Sequence, residues 1–180
     1  MHATCDGTCC ETDGRSSTRR GAQENGAVTD KVYLSQCTIG PCHACDACAD
    51  TGICVQRDDM DDLLVRMNQS DIWVLGTPVY WWGASAPFKL FLDRWYAPWH
   101  NADTKGIFDN RKAALVVTMG DSTPSTADPT LGMFERALSY VGIEIAATVL
   151  APGVGALGEA AAHSELMKKA REAGRTVVNS

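Results

Sequence analysis

The stretch Asp71–Gly83, DIWVLGTPVYWWG, decides how the chain is read. Its first half, Asp71–Thr77, is an almost unbroken apolar run, which suits a strand covered on both faces in a parallel sheet. Its second half places Tyr80, Trp81 and Trp82 in a row at that strand's carboxyl end, where open α/β sheets bind ligands. A flat aromatic cofactor needs such a loop, with rings for its face and backbone groups for its polar edge. The alternative is aromatic packing against a neighbouring helix or subunit.

Outward from this strand, the apolar pattern alternates between period two and period 3.6. Upstream, Lys31–Leu34 reads as a short strand. A helix begins at Asp58, a plausible N-cap, with Met60, Leu63, Leu64 and Met67 as its buried stripe. Asp59, Asp61 and Asp62 favour the positive end of that helix. Downstream, Ser85 reads as the N-cap of a helix to Trp99, with Phe88, Phe91, Leu92, Trp95 and Trp99 on one face, serving as core or dimer surface. Lys112–Met119 is a second buried strand ending in the polar loop Gly120-Asp121-Ser122-Thr123. A helix over Pro129–Val141, a strand over Glu144–Leu150, a loop with Gly153 and Gly155, and a helix over Gly158–Val178 close the chain. Strand and helix alternate from residue 31 on, which predicts a mostly parallel, doubly wound α/β sheet with right-handed crossovers. Residues 1–30 are polar and read as a degenerate or mobile N-terminal segment. A helix over Ser16–Asn25 has no apolar stripe with which to dock. The domain is then 31–180.

Between the first strand and the Asp58 helix lies Pro41–Val55, PCHACDACADTGICV. It carries four of the eight cysteines, as Cys42-x2-Cys45-x2-Cys48-x5-Cys54. Thiols at strides of three on a tight loop each take one iron of a cubane, as in the ferredoxin run. Structural zinc usually draws on two separated pairs. Zinc, or free or paired thiols, remain the alternatives, and His43 is an alternative ligand. Cys5, Cys9 and Cys10 read as idle.

The 180 residues suit one domain, and 45% hydrophobic with 21% charged residues are ordinary values for a globular chain. A net charge of −6 marks no nucleic-acid or anionic-membrane partner. No run approaches a membrane span, and the first twenty residues lack the apolar centre of a secretory signal. Clustered cysteines in such a cytoplasmic chain argue for metal or redox use. No Walker or dinucleotide fingerprint and no Ser-His-Asp constellation is found.

CHACDACADTGICVQRDDM followed by GTPVYWWGASAPFKLFLDRW resembles the iron–sulfur flavoproteins, in the flavodoxin-like NAD(P)H-dependent FMN reductase group. The likeness runs from about Gly21 to the C-terminus. It implies a flavodoxin-like fold with strand order 2-1-3-4-5 and FMN at the carboxyl ends of the strands. Cys42, Cys45, Cys48 and Cys54 match the ligands of a [4Fe-4S] cluster. Thr77, Pro78, Val79, Tyr80, Trp81, Trp82 and Gly83 match the loop holding the isoalloxazine ring, and Gly120 and Asp121 match the second flavin loop. A homodimer or homotetramer follows, the cluster of one subunit lying near the flavin of another, with Ser85–Trp99 as a candidate interface element. The family begins with an apolar strand and an S-x-R-x-x-G-N-T phosphate loop. Here residues 1–11 hold no apolar strand, Cys9-Cys10 stand where the loop belongs, and Thr12 falls near its final threonine. The first strand is read as missing or degraded.

These features predict a flavin-dependent oxidoreductase carrying FMN and [4Fe-4S]. Electrons pass from NAD(P)H, or a small redox carrier, to a quinone, an oxygen species or another acceptor. No catalytic acid or base is required. The alternatives are a cluster-free NAD(P)H-dependent FMN or quinone reductase, and a non-enzymatic Fe–S or zinc module that has lost its flavin.

Overall fold

The apolar run after Asp71 is buried on both faces because it lies inside a parallel sheet. The computed structural model of the chain describes residues 2–5, 14–156 and 158–180. Its strands are β1 (His2–Cys5), β2 (Asp30–Tyr33), β3 (Ile72–Tyr80), β4 (Gly83–Ala84), β5 (Lys112–Thr118) and β6 (Glu144–Ala151). The parallel strands lie in the order β2-β1-β3-β5-β6, which is the expected 2-1-3-4-5, and β4 pairs antiparallel with the end of β3. The central strand is not absent. It is degraded: β1 is four residues of HATC, paired with β2 on one side and with Trp73–Gly76 of β3 on the other. Cys9, Cys10 and Thr12, where the phosphate loop aligns, lie outside the described residues.

The helices are α1 (Gly14–Gln23), α2 (Met60–Asn68), α3 (Ala86–Asp93), α4 (Tyr96–Trp99), α5 (Asp128–Tyr140) and α6 (Ser164–Asn179). Alternation along β3 sends Trp73 and Leu75 to one face and Val74 to the other. The first face carries the larger core, where Met60, Leu63 and Met67 of α2, Phe88 and Phe91 of α3, and Phe134 and Leu138 of α5 are buried. Its rings meet edge to face: Trp73 on Trp95 at 5.4 Å, Phe91 on Trp95 at 5.5 Å, Phe88 on Phe134 at 5.0 Å. The stripe expected on one helix from Ser85 to Trp99 is therefore largely core. It spans two helices, since α3 ends at Asp93 and α4 begins at Tyr96.

The second face is built from small side chains. Ala114, Val116 and Val149 of the sheet meet Ala170, Ala173 and Val177 of α6. The first helix has no apolar stripe, yet it docks, because close approach of backbones replaces one. Thr18 and Ala22 of α1 are fully buried. A Cβ on Gly174 would collide with the Thr18 carbonyl, and one on Gly21 with the Arg171 carbonyl. Glu24 adds an ion pair at 2.7 Å to Arg175. Alanine at Gly174 must push the two helices apart. Gly174→Ala is expected to lower unfolding stability by about 1–3 kcal/mol in a urea titration, whereas an unchanged midpoint would mean the two helices are not packed backbone to backbone.

Candidate functional site

β3 runs past the expected Thr77 to Tyr80 and turns sharply into β4, with Tyr80 paired to Gly83. The two residues of the turn, Trp81 and Trp82, take φ values of 51° and 59°. Left-handed backbone at both central positions matches the twist of a two-residue hairpin and is ordinarily supplied by Asn-Gly. A bulky side chain there costs about 1–2 kcal/mol per residue. The strain sits where the rings are open: Trp81 is 91% exposed and Trp82 56%. The stem is held from within. Thr77 is fully buried, its Oγ1 donating to the Pro78 carbonyl and accepting from the Ser85 N–H at 3.0 Å. Ser85 stands at the N-cap position of α3 as expected, but its hydroxyl makes no capping bond. Thr130 of α5 donates to the Trp82 carbonyl at 3.0 Å. Pro78 is buried, Val79 half-buried, Tyr80 exposed.

The loops after β5 and β6 lie at the same sheet edge and are zipped together. Met119 accepts from Val154 N–H and the Asp121 carbonyl from Gly153 N–H, each at 2.8 Å. Gly120 and Gly155 meet backbone to backbone, and a Cβ built on Gly155 would come 3.5 Å from the Gly120 Cα. The Asp121 carboxylate accepts from Thr123 N–H and the Thr126 hydroxyl, which hold its pKa below the usual carboxylate value. Its side chain is spent on the turn. Glu159 does the same for the last loop, accepting from Gly155 and Ala156 N–H at 2.9 Å. Nothing in the sequence pattern singled it out.

The cysteine loop is organised by a pair of charges, Arg94 and Asp58, whose contact the sequence pattern does not reveal. Arg94, 2% exposed, donates Nη1 to Asp58 Oδ2 at 2.6 Å and to the Gly40 carbonyl at 3.0 Å, and Nη2 to the Gln56 carbonyl at 3.4 Å. Asp58 accepts in addition from Gly40 N–H and Met60 N–H. Asp58 thus bonds the first turn of α2 through Met60 N–H, but the N-cap position is Asp59, which makes no capping bond and accepts instead from Thr38 N–H. Gln56 donates to the Pro41 carbonyl, Tyr96 to Asp46 at 2.6 Å, and Asn101 to the Asp50 carbonyl. Both ends of the loop are therefore tied to the end of α3 and the start of α2, and its middle to α4 and Asn101 beyond it. The remaining strain is local: Ala44 and Asp46 have φ of 51° and 54°, and Gly52 at 68° leaves no room for a Cβ beside Thr104.

Cys42, Cys45, Cys48 and Cys54 line one pocket with His43 and Arg94. Cys42 and Cys45 are exposed and Cys48 is buried. Burial pushes the Cys48 thiol up. Among the described residues, no three His, Cys, Asp or Glu side chains are arranged to hold a single metal ion. A lone zinc requires four donors about 2.3 Å from one centre, whereas a cubane takes each thiolate on a different iron. On the far side, a groove of about 560 Å³ shares Cys54, Arg94 and Ala97 with the cysteine pocket. Among the described residues, no helix is long and apolar enough to cross a membrane.

A family model described as flavodoxin-like fold matches residues 29–177. An iron–sulfur flavoprotein of Archaeoglobus fulgidus is 31% identical over 160 residues, covering 88% of this chain and 68% of that protein. A Bacillus subtilis protein named as an NAD(P)H-dependent FMN-containing oxidoreductase is 28% identical over 131 residues, 71% of this chain and 72% of that one. The FMN-dependent NADH-azoreductase of Bacillus anthracis, solved with FMN, superposes at a TM-score of 0.71 with 14% identity over 99% of this chain and 98% of that one. At that identity the likeness speaks for the fold.

Burial raises the Asp58 pKa, but the bonds from Arg94, Gly40 and Met60 more than offset it and hold the carboxyl below its ordinary value. A depressed carboxylate contributes stability above its unfolded pKa of about 3.9, and that contribution is lost as pH falls through the lower folded value. Asp58→Ala strands the Arg94 cation and is expected to cost about 3–5 kcal/mol at pH 7. The gap from wild type should shrink below about pH 4. Urea unfolding at pH 7 and pH 3 measures both, and a gap that does not change with pH would remove the ion pair from the account.

Proposed function

Because the chain belongs to the iron–sulfur flavoprotein family, within the flavodoxin-like NAD(P)H-dependent FMN reductase group, we propose that it is an FMN-dependent oxidoreductase with a [4Fe-4S] cluster in the 41–55 loop. It takes electrons from NAD(P)H or a small electron carrier and passes them to a quinone, an oxygen species or another acceptor. The observation that carries the reading is the convergence of Cys42, Cys45, Cys48 and Cys54 on one pocket beside a buried cation. The donor set suits the group: four thiols with an Arg whose charge complements thiolates, and whose Nε has no partner of its own.

FMN supplies two-electron acceptance with one-electron release, and an iron–sulfur cluster supplies single-electron transfer. The chain's residues bind and orient. Thr77–Gly83 presents backbone groups and the Tyr80, Trp81 and Trp82 rings to the isoalloxazine, while Thr77 and Thr130 keep the hairpin stem still. Gly120 and Asp121 supply the second wall, fixed to the loop after β6. Cys42, Cys45, Cys48 and Cys54 ligate, and the Arg94–Asp58 pair sets their loop before any metal arrives. No side chain is assigned as catalytic acid or base. The open Trp81 ring suits an interface in a homodimer or homotetramer, where one subunit's cluster approaches the other's flavin.

An anaerobic absorption spectrum with iron, sulfide and flavin analysis tests the reading. The expected spectrum shows flavin bands and a broad shoulder bleached by dithionite, and Cys45→Ser removes the shoulder but keeps the flavin. Flavin without iron would instead make this a cluster-free FMN or quinone reductase, and metal without flavin an electron-transfer or zinc module. The hairpin gives a second expectation. Trp81→Asn with Trp82→Gly relieves two left-handed penalties of about 1–2 kcal/mol each, against about 1 kcal/mol for the added glycine. This double variant should be more stable as apoprotein, by about 1–3 kcal/mol, in urea. In a fluorescence titration it should bind FMN about tenfold more weakly. Unchanged flavin affinity would take the rings out of the site.

A further inference from the structure

Arg94 has more hydrogen-bonding capacity than the loop uses. Its two terminal nitrogens serve Asp58 and the carbonyls of Gly40 and Gln56, but its buried Nε has no hydrogen-bond partner. An unpaired N–H on a buried cation is costly, and such an atom marks an acceptor still to be supplied. The sulfur-bearing side chain that shares both the cysteine pocket and the adjoining groove with Arg94 is Cys54. A neutral thiol is a weak acceptor, whereas a metal-bound thiolate is a charged one. Among the described residues lining the cysteine pocket, Arg94 is the one cation at all working pH values, and Asp46 and Asp93 are anionic.

We propose that Arg94 poises the redox centre held by the four cysteines: its Nε–H donates to the Cys54 sulfur, and its positive charge, partly offset by Asp58, favours the reduced state. The inference rests on the reading that the 41–55 loop carries an iron–sulfur cluster. The step it governs is the entry of one electron from the flavin, or from dithionite in a titration. No bond is made or broken, the centre gains one negative charge, and no proton moves, because the guanidinium keeps its own. Hydrogen bonds to ligand sulfur and nearby charge are established levers on such potentials.

The structure gives the two members of the ion pair opposite signs. Arg94→Gln removes the cation and leaves the Asp58 charge beside the centre, so reduction becomes harder. Asp58→Asn removes the anion and leaves the cation less compensated, so reduction becomes easier. Arg94→Lys keeps the charge and should lie between wild type and the glutamine variant. Dye-referenced reductive titrations of the cluster signal, at matched iron and sulfide content, read this out. The expectation is about a tenfold change in the reduced-to-oxidised ratio for each removal, equivalent to about 59 mV for a one-electron couple. A purely structural role would loosen the loop in both variants and shift both the same way. Shifts of the same sign, or none, in loaded variants overturn this inference alone. A wild-type chain that takes up no iron and sulfide overturns the reading beneath it as well. Should Arg94→Gln fail to load, Asp58→Asn and Arg94→Lys still decide, since the proposal requires the first to rise and the second to fall.

Discussion

The buried contact between Arg94 and Asp58 is the constraint on which the site depends. At 2.6 Å, it joins the end of α3 to the start of α2. The pair also bonds Gly40 and Gln56, the residues that flank the cysteine segment. A fifteen-residue insertion would otherwise be free at the sheet's edge. Buried ion pairs contribute little net stability over an apolar replacement, but removing one partner is severe. Here the pair's contribution is placement, holding the segment that carries the four thiols of one pocket.

A second constraint runs the other way. The hairpin at the end of β3 holds two tryptophans in left-handed backbone and leaves them open to solvent. Stability alone would place Asn-Gly there. The cost is met by a buried stem, in which Thr77, Ser85 and Thr130 fix the strand end and the Trp82 carbonyl. Strain at the tip with rigidity beneath is the pattern expected where a loop is shaped for a ligand and not for folding.

Much of this was legible in the sequence for identifiable reasons. Continuous apolar runs located β3 and β5, buried on both faces, and period-3.6 stripes located α2 and α5, whose apolar residues face the sheet core. The cysteine spacing gave the thiol pocket because a short loop cannot scatter residues three apart. Two features escaped, and a third was legible only in part. The docking of α1 on α6 uses Gly21, Ala22 and Gly174, and close backbone packing leaves no apolar stripe to read. The central strand, read from the sequence as missing or degraded, is four residues of HATC held by its neighbours on both sides in the sheet. Arg94 looked like one charge in a helical run, and only the fold brings it to Asp58, thirty-six residues away in sequence.

The central claim is that the Arg94–Asp58 pair holds the cysteine loop in place without metal. Native-state hydrogen exchange at the Gly40 amide, which donates to Asp58 Oδ2 at 2.9 Å, tests it most directly in the metal-free chain. The account predicts slow exchange at Gly40, within about tenfold of the β3 amides, that becomes fast in Asp58→Ala while β3 stays protected. Exchange at Gly40 as fast as in an open loop would contradict it.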